Sequence, residues 1–169
     1  MSYTRFFSMI VTSTVVMFAL MYLNTYAVEH ATFSQTRTWM ALLMGATMGM
    51  VMMLFMWSMY ANKALNMATL GVCLILFAGS LWLVRSQETV DDVSYMSAMI
   101  PHHSIAIMTS ERAHIRDPRV RELADGIIKA QVEEIAEMKA LIADLKANPV
   151  PEDAPDLLSY RKTGEAPPP

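Results

Sequence analysis

Two methionines and two histidines lie within the segment Met-Ser-Ala-Met-Ile-Pro-His-His at positions 96–103. At about 100° per helical residue, Met96, Met99 and His103 share one face of a helix, and His102 points about a quarter-turn to the side. Thioether sulfur and imidazole nitrogen together favour Cu(I), whereas zinc prefers thiolate, imidazole and carboxylate, and calcium and magnesium take oxygen ligands. The segment therefore predicts a copper site, with Ag(I) as a chemically similar alternative ion.

A membrane anchor is predicted before this segment. Hydrophobic residues make up 54% of the chain and charged residues only 17%, which is too apolar for one ordinary soluble domain. Residues 6–28, 39–60 and 64–84 are apolar runs of about 20 residues each, and as helices they would span a hydrocarbon core of roughly 30 Å. The single cysteine, Cys73, lies in the third run, so no disulfide can form within the chain. We expect a three-helix transmembrane anchor over residues 1–86.

The charged residues indicate how the chain lies in the membrane. Glu29 is the only acidic residue before Arg85, so the water-exposed part follows the third span. Arg5, with the amino terminus, and Lys63 lie on one side against Arg37 and Arg85 on the other, and this small difference favours an amino terminus in the cytoplasm. Three crossings then put the carboxy-terminal domain outside the cytoplasmic membrane. The net charge of the chain is -3, and we expect no nucleic-acid partner.

The water-exposed part is predicted to contain two helices within residues 87–147. The first takes Asp91 or Asp92 as its N-cap and continues to about His114, and Pro101 inside it is expected to kink the helix or divide it. The second, over residues 118–146, follows an Asp-Pro pair that suits a helix start, and it carries a broad apolar stripe. The short link at residues 115–117 predicts an antiparallel hairpin.

Polar residues interrupt the apolar stripe of the second helix opposite the candidate ligands. If the turn centres near residue 116, His103 lies level with about Ala130, and Met99 lies level with about Glu134. Gln131 and Glu134 can then orient an imidazole by accepting its second N–H or by bonding to it through water. An ordinary buried polar pair between two copies of the chain is the alternative explanation for these two residues.

The last segment, residues 148–169, combines repeated Pro with Asp and Glu and ends in Ala-Pro-Pro-Pro. It has too little apolar surface to offset the entropy lost on ordering. We expect a Pro-rich disordered tail.

The pattern across both helices resembles a known family, and the residues that carry it are Asp92, Tyr95-Met96, Met99-Ile100-Pro101-His102-His103, Ala106-Ile107-Met108, Asp117-Pro118, Leu123-Ala124, Ile127-Ile128 and Gln131-x-x-Glu134-Ile135-x-x-Met138. This pattern closely resembles the bacterial domain-of-unknown-function family number 305, the CopM-like proteins, over about residues 91–145. The helices of that family are described as ferritin-like, and the family is associated with copper binding and resistance. The resemblance implies metal binding at Met99, His102 and His103. Met138, on the inward stripe near the level of Met96, is a candidate ligand from the second helix.

Packing predicts that the hairpin pairs with a second copy. Members of the family often carry a longer domain with two such hairpins, whereas this chain has one. A single hairpin leaves its core incompletely covered, and two copies would close it as a four-helix bundle. We therefore expect a homodimer, in which the metal could lie between the chains.

Three functions are compatible with these patterns. The leading expectation is a membrane-anchored protein, not an enzyme, that binds Cu(I) outside the cytoplasm for sequestration, tolerance or delivery to a partner protein. An alternative is a ferritin-like di-metal carboxylate oxidase, because Glu111-x-x-His114 has the spacing of such sites, although Glu122, level with this motif, points away from the apolar stripe. The third is a structural module that holds a membrane complex together.

Overall fold

The computed structural model describes residues 2–151 and 153–164, and within these ranges the chain is helical without strands. Its helices, in chain order, are α1 (Tyr3–Leu20), α2 (Gln35–Phe55), α3 (Lys63–Ser86), α4 (Asp92–Arg112), α5 (Pro118–Ala147) and α6 (Tyr160–Thr163). This confirms the all-α prediction of an apolar three-helix segment followed by a helical carboxy-terminal region.

Helices α1, α2 and α3 are long and apolar enough to cross a membrane. Each begins at a polar N-cap, Ser2, Ser34 and Asn62, whose side chain accepts a backbone N–H of the first turn. Helix α2 packs against both α1 and α3. At Gly49 the approach to α3 is close, because a Cβ there would lie 2.8 Å from the Sγ of Cys73. The predicted anchor is therefore consistent with three packed helices.

The first predicted span ends too late. The apolar run was expected to continue to residue 28, but α1 ends at Leu20, and the chain then forms turns and a single 3-10 turn (Val28–His30) before α2. The polar Asn24 and Thr25 favour turns over helix, and the Thr25 hydroxyl donates to the carbonyl of Tyr22. We call residues 21–34 the anchor loop. The other two spans differ from their predicted limits only by a few residues at their ends.

Helices α4 and α5 form the predicted antiparallel hairpin. Asp91 and Asp117 cap their amino ends, with side-chain oxygens 2.6 Å and 2.9 Å from backbone nitrogens of the first turns. The hairpin core consists of buried isoleucines with further apolar side chains packed around them, namely Ile100, Ile107, Ile135, Ile128, Met138 and Ile142. This core fixes which faces of the two helices meet.

Pro101 does not divide α4, which continues as one helix from Asp92 to Arg112. A proline has no N–H to give the carbonyl four residues earlier, which here belongs to Ser97. The hydroxyl of Thr32, in the anchor loop, donates to that carbonyl at 2.6 Å. The carbonyl freed by the proline is therefore satisfied from outside the helix, and the predicted division does not occur.

A second contact joins the anchor loop to α4 at Ser104, which is fully buried. Its hydroxyl oxygen accepts the backbone N–H of Tyr26 at 2.8 Å and lies 3.0 Å from Nδ1 of His30. His30 is itself buried, and this burial lowers its pKa below the usual value. Sequence patterns gave no sign of this docking, because it depends on side chains far apart in the chain.

The register of the hairpin differs from the expected one by about one helical turn. His103 lies beside Glu134, whereas Ala130 was expected at that level. Helix α4 ends at Arg112, and the link at residues 113–117 begins and ends in extended backbone. Extended residues advance about 3.3 Å each against about 1.5 Å in a helix, so the chain passes further beyond α4 before α5 returns.

Within the predicted tail, the structure has irregular backbone and the one-turn helix α6. Residues 152 and 165–169 of this segment lie outside the described ranges.

Candidate metal centre

Helix α4 has a pocket on each of two sides, and the candidate ligands are divided between them. The hairpin pocket lies between α4 and α5 and includes Met96, His103, Glu134 and Met138. The junction pocket lies between α4 and the anchor, and we define it by Met21, Met40, Met99 and His102. Sequence reasoning treated the donors of the carboxy-terminal domain as one group, and the structure separates them.

The hairpin pocket combines two thioethers and an imidazole from two helices. Met96 and His103 are seven residues apart on α4, which is about two helical turns, so both face α5. Met96 is buried, and Met138 of α5 packs against the isoleucine core of the hairpin. These three side chains line one cleft, although Met96 and Met138 are 42 positions apart in the sequence. Sulfur and imidazole donors of this kind suit a soft monovalent metal.

Glu134 lies beside His103, as the place of both residues on the facing helices predicted. Its Oε2 lies 2.9 Å from Nδ1 of His103, and Gln131 donates to the same oxygen at 3.1 Å. The carboxylate is close enough for an ion pair but lies off the line of a ring N–H, so Nδ1 has no well-aligned hydrogen bond among the described residues. The negative charge beside Nδ1 favours a proton on that nitrogen, which leaves the lone pair of Nε2 available to a ligand.

Burial sets the protonation state of His103. The side chain is only 14% exposed, and this desolvation lowers its pKa below the usual value. The carboxylate of Glu134 acts in the opposite direction and is 48% exposed, so water weakens its effect. Positive charge on the neighbouring His102 would also lower the pKa of His103. The imidazole is therefore neutral near pH 7, which is the form that binds metals.

Met99 and His102 face the anchor rather than α5. On a helical wheel Met99 lies about 40° from His103 and about 60° from His102, so the sequence alone does not fix its side. The rings of His102 and His103 have centroids 6.2 Å apart and planes inclined by 58°. The anchor loop and α2 approach α4 on the side of Met99, which is why it lines the junction pocket.

Sequence reasoning missed the contribution of the anchor to this junction pocket. Met21 follows the end of α1, and Met40 lies in the second turn of α2. Arg37 also lines the pocket, and its guanidinium donates to the carbonyl of Met21 at 2.6 Å and lies 4.6 Å from the ring centroid of Tyr22. The only sequence signal was the series of methionines at four-residue spacing that begins at Met40.

The residues considered for a di-metal oxidase site have other surroundings. Glu111 hydrogen-bonds to the hydroxyl of Tyr26 and raises the pKa of that tyrosine. His114 is exposed and lies beyond the end of α4. Within residues 2–151 and 153–164, no three His, Cys, Asp or Glu side chains are grouped so that they could hold a metal ion.

Comparisons with known proteins agree with the resemblance read from the sequence. Over 68 residues, the chain is 40% identical to an uncharacterized protein of Acanthamoeba polyphaga mimivirus, a match that covers 39% of this chain and 45% of that protein. The chain thus spans less than half the length of this relative. No solved structure matches the chain. Residues 88–166 match the family described as Domain of unknown function (DUF305). Over this carboxy-terminal part, which is slightly less than half of the chain, the sequence matches the DUF305 family.

Proposed function

We propose that this protein binds Cu(I), or Ag(I), through its carboxy-terminal domain while its apolar helices hold it in a bacterial inner membrane. In this proposal the domain faces the periplasm or the cell exterior, and it sequesters copper or delivers it to a partner protein. The observation that carries the proposal is the hairpin pocket, in which Met96, His103 and Met138 line one cleft. The likeness to copper-associated CopM-like proteins, read from the sequence, supports the same metal.

The chemistry of the hairpin pocket favours Cu(I) over other common metals. Two neutral thioethers and one neutral imidazole are soft donors, and they balance a single positive charge better than a double one. Zinc would need thiolate or more imidazole and carboxylate ligands. The carboxylates of Asp92, Glu134 and Glu137 also line this pocket, so weak binding of a divalent ion is the competing outcome.

The test is an anaerobic Cu(I) titration of the full chain in detergent, in competition with a chromophoric Cu(I) chelator. His103→Gln and the double variant Met96→Leu/Met138→Leu are expected to weaken binding more than the roughly 10- to 100-fold that loss of an outer hydrogen-bond partner costs. His114→Gln and Met108→Leu are matched controls, because they change the same residue types outside both pockets. Unchanged Cu(I) affinity in His103→Gln would refute the proposal.

The proposal includes a homodimer through the hairpin. Large apolar side chains of α5 remain exposed at helical spacing, namely Val120, Leu123 and Ile127. A second copy would cover them and complete a four-helix bundle. We expect Leu123→Glu/Ile127→Glu to convert a dimer to a monomer in a mass measurement, whereas Lys129→Glu on the same helix leaves the mass unchanged. A wild-type monomer at the concentrations of the titration would refute this part of the proposal.

A further inference from the structure

The junction pocket brings together four soft donors from the anchor loop and two helices. Met21 lies at the end of α1, Met40 belongs to α2, and Met99 and His102 belong to α4. They meet because the anchor loop docks on α4 through the hydrogen bonds to Ser97 and Ser104 described above. None of these four residues lines the hairpin pocket within the described ranges.

The electrostatics of the junction pocket differ from those of the hairpin pocket. No Asp or Glu is among the described residues that line it, whereas three carboxylates line the hairpin pocket. The charged side chain present is Arg37, whose guanidinium is held by the carbonyl of Met21 and the ring of Tyr22. A positive charge and the absence of carboxylates disfavour divalent cations more strongly than a monovalent one. Three thioethers and one imidazole are the donors that Cu(I) prefers.

We infer that Met21 and Met40 of the anchor complete a second Cu(I) site with Met99 and His102. The inference rests on the proposed function for the identity of the metal, but its ligands are separate from those of the hairpin pocket. Met40 is the first of the methionines that recur along α2 at four-residue spacing, so this site joins the apolar helices to the carboxy-terminal domain. The two sites use neighbouring imidazoles of α4, with ring centroids 6.2 Å apart.

The experiment measures the stoichiometry of bound Ag(I), a redox-stable probe for Cu(I), on the full chain in detergent micelles by equilibrium dialysis and elemental analysis. The wild-type chain is expected to bind two ions. Met21→Leu/Met40→Leu is expected to bind one, because leucine keeps the apolar volume and removes both sulfurs. Met9→Leu/Met67→Leu is the control, since these anchor methionines line neither pocket, and it is expected to keep two ions.

A second measurement uses the chain labelled at the methionine methyl carbons. In a Met96→Leu/Met138→Leu background, addition of one equivalent of Ag(I) is expected to shift the methyl resonances of Met21, Met40 and Met99 and to leave that of Met108 in place. This readout does not depend on whether the variants of the junction pocket fold. Shifts confined to other methionines would overturn the inference.

The outcomes separate this inference from the proposed function. A wild-type chain that binds one ion, which it loses in Met96→Leu/Met138→Leu but not in Met21→Leu/Met40→Leu, overturns the second site and leaves the hairpin site standing. Two ions bound by both the wild-type chain and Met21→Leu/Met40→Leu also overturn it. A chain that binds no Ag(I) and no Cu(I) overturns both.

Discussion

Replacing Ser104 with alanine is expected to loosen the anchor loop from α4. The hydroxyl oxygen of this buried serine accepts the backbone N–H of Tyr26 at 2.8 Å and lies 3.0 Å from Nδ1 of His30. Alanine would remove the partner of the Tyr26 N–H, and because this hydrogen bond is only partly buried, its cost lies near the lower end of the about 1–3 kcal/mol of a buried unpaired donor. The loss of the Ser104 hydroxyl at Nδ1 of His30 adds to this cost, because the His30 side chain is itself buried. We therefore expect docking to weaken by about 2 kcal/mol, which is roughly 30-fold in the docking equilibrium.

Amide hydrogen exchange of residues 21–34 in detergent micelles or lipid nanodiscs measures this change directly, because opening of the loop exposes the Tyr26 amide. Ser110→Ala is the matched control, since Ser110 lies on the same helix without a hydrogen bond to the anchor loop in the described structure. If the amide exchange rates of the anchor loop in Ser104→Ala lie within about threefold of wild type, the free energy of docking has changed by less than about 0.7 kcal/mol. That result would show that the buried serine does not hold the loop.

Three further predictions concern the candidate metal centre and the contact at the proline. Glu134→Gln removes the charge beside His103 but keeps the side-chain size. We expect Cu(I) affinity to fall about tenfold, which is the smallest loss usual for a group that hydrogen-bonds to a metal ligand, because Glu134 is half exposed. Equal affinity of variant and wild type in a competition titration would contradict this. Because burial lowers the pKa of His103, Cu(I) affinity should stay constant as the pH is lowered past the usual histidine pKa, and only at lower pH should it fall, by up to about tenfold per pH unit. The variant His103→Gln should lose this pH dependence. A flat profile down to about pH 4 in competition titrations would argue against imidazole ligation. Thr32→Val removes the donor to the Ser97 carbonyl and should weaken docking of the anchor loop on α4 by about 1 kcal/mol. The effect should be smaller in a Pro101→Ala background, where residue 101 regains its N–H. Equal effects in both backgrounds, measured by hydrogen exchange, would show that Thr32 does not compensate for the proline.

The helices were predictable because their signals are local. Apolar runs predicted α1 to α3, and the Asp caps with helical periodicity predicted α4 and α5. The errors lie where a local signal meets tertiary packing. Residues 21–28 were predicted to extend α1, but Asn24 and Thr25 favour turns, and the anchor loop also gains hydrogen bonds to α4 that its own sequence does not reveal. Pro101 was expected to kink its helix or divide it, and the Thr32 hydroxyl replaces the missing donor from a position far away in the chain.

The candidate metal centre was predictable only in part. Helical spacing put Met96 and His103 on one face, and the structure has both in the hairpin pocket. Met99 lies between two faces on the helical wheel, so the approach of the anchor decides its neighbours. Met21 carried no signal, because a single methionine near a helix end is common in an apolar segment. Glu134 was chosen for its place on the apolar stripe, and it lies beside His103 even though the hairpin register was off by a turn.

The anchor loop forms hydrogen bonds with α4 at the carbonyl of Ser97 and at the hydroxyl of Ser104. Seven residues separate them, which is about 10.5 Å along a helix axis. A helix held at one position can still rotate about that position. Hydrogen bonds at two heights on the same side of α4 oppose both rotation of the helix about its axis and sliding along it. Helix α4 therefore keeps a constant rotation and height relative to the apolar helices. Motion of the carboxy-terminal domain as a whole requires that the hydrogen bonds at Ser97 and Ser104 open together.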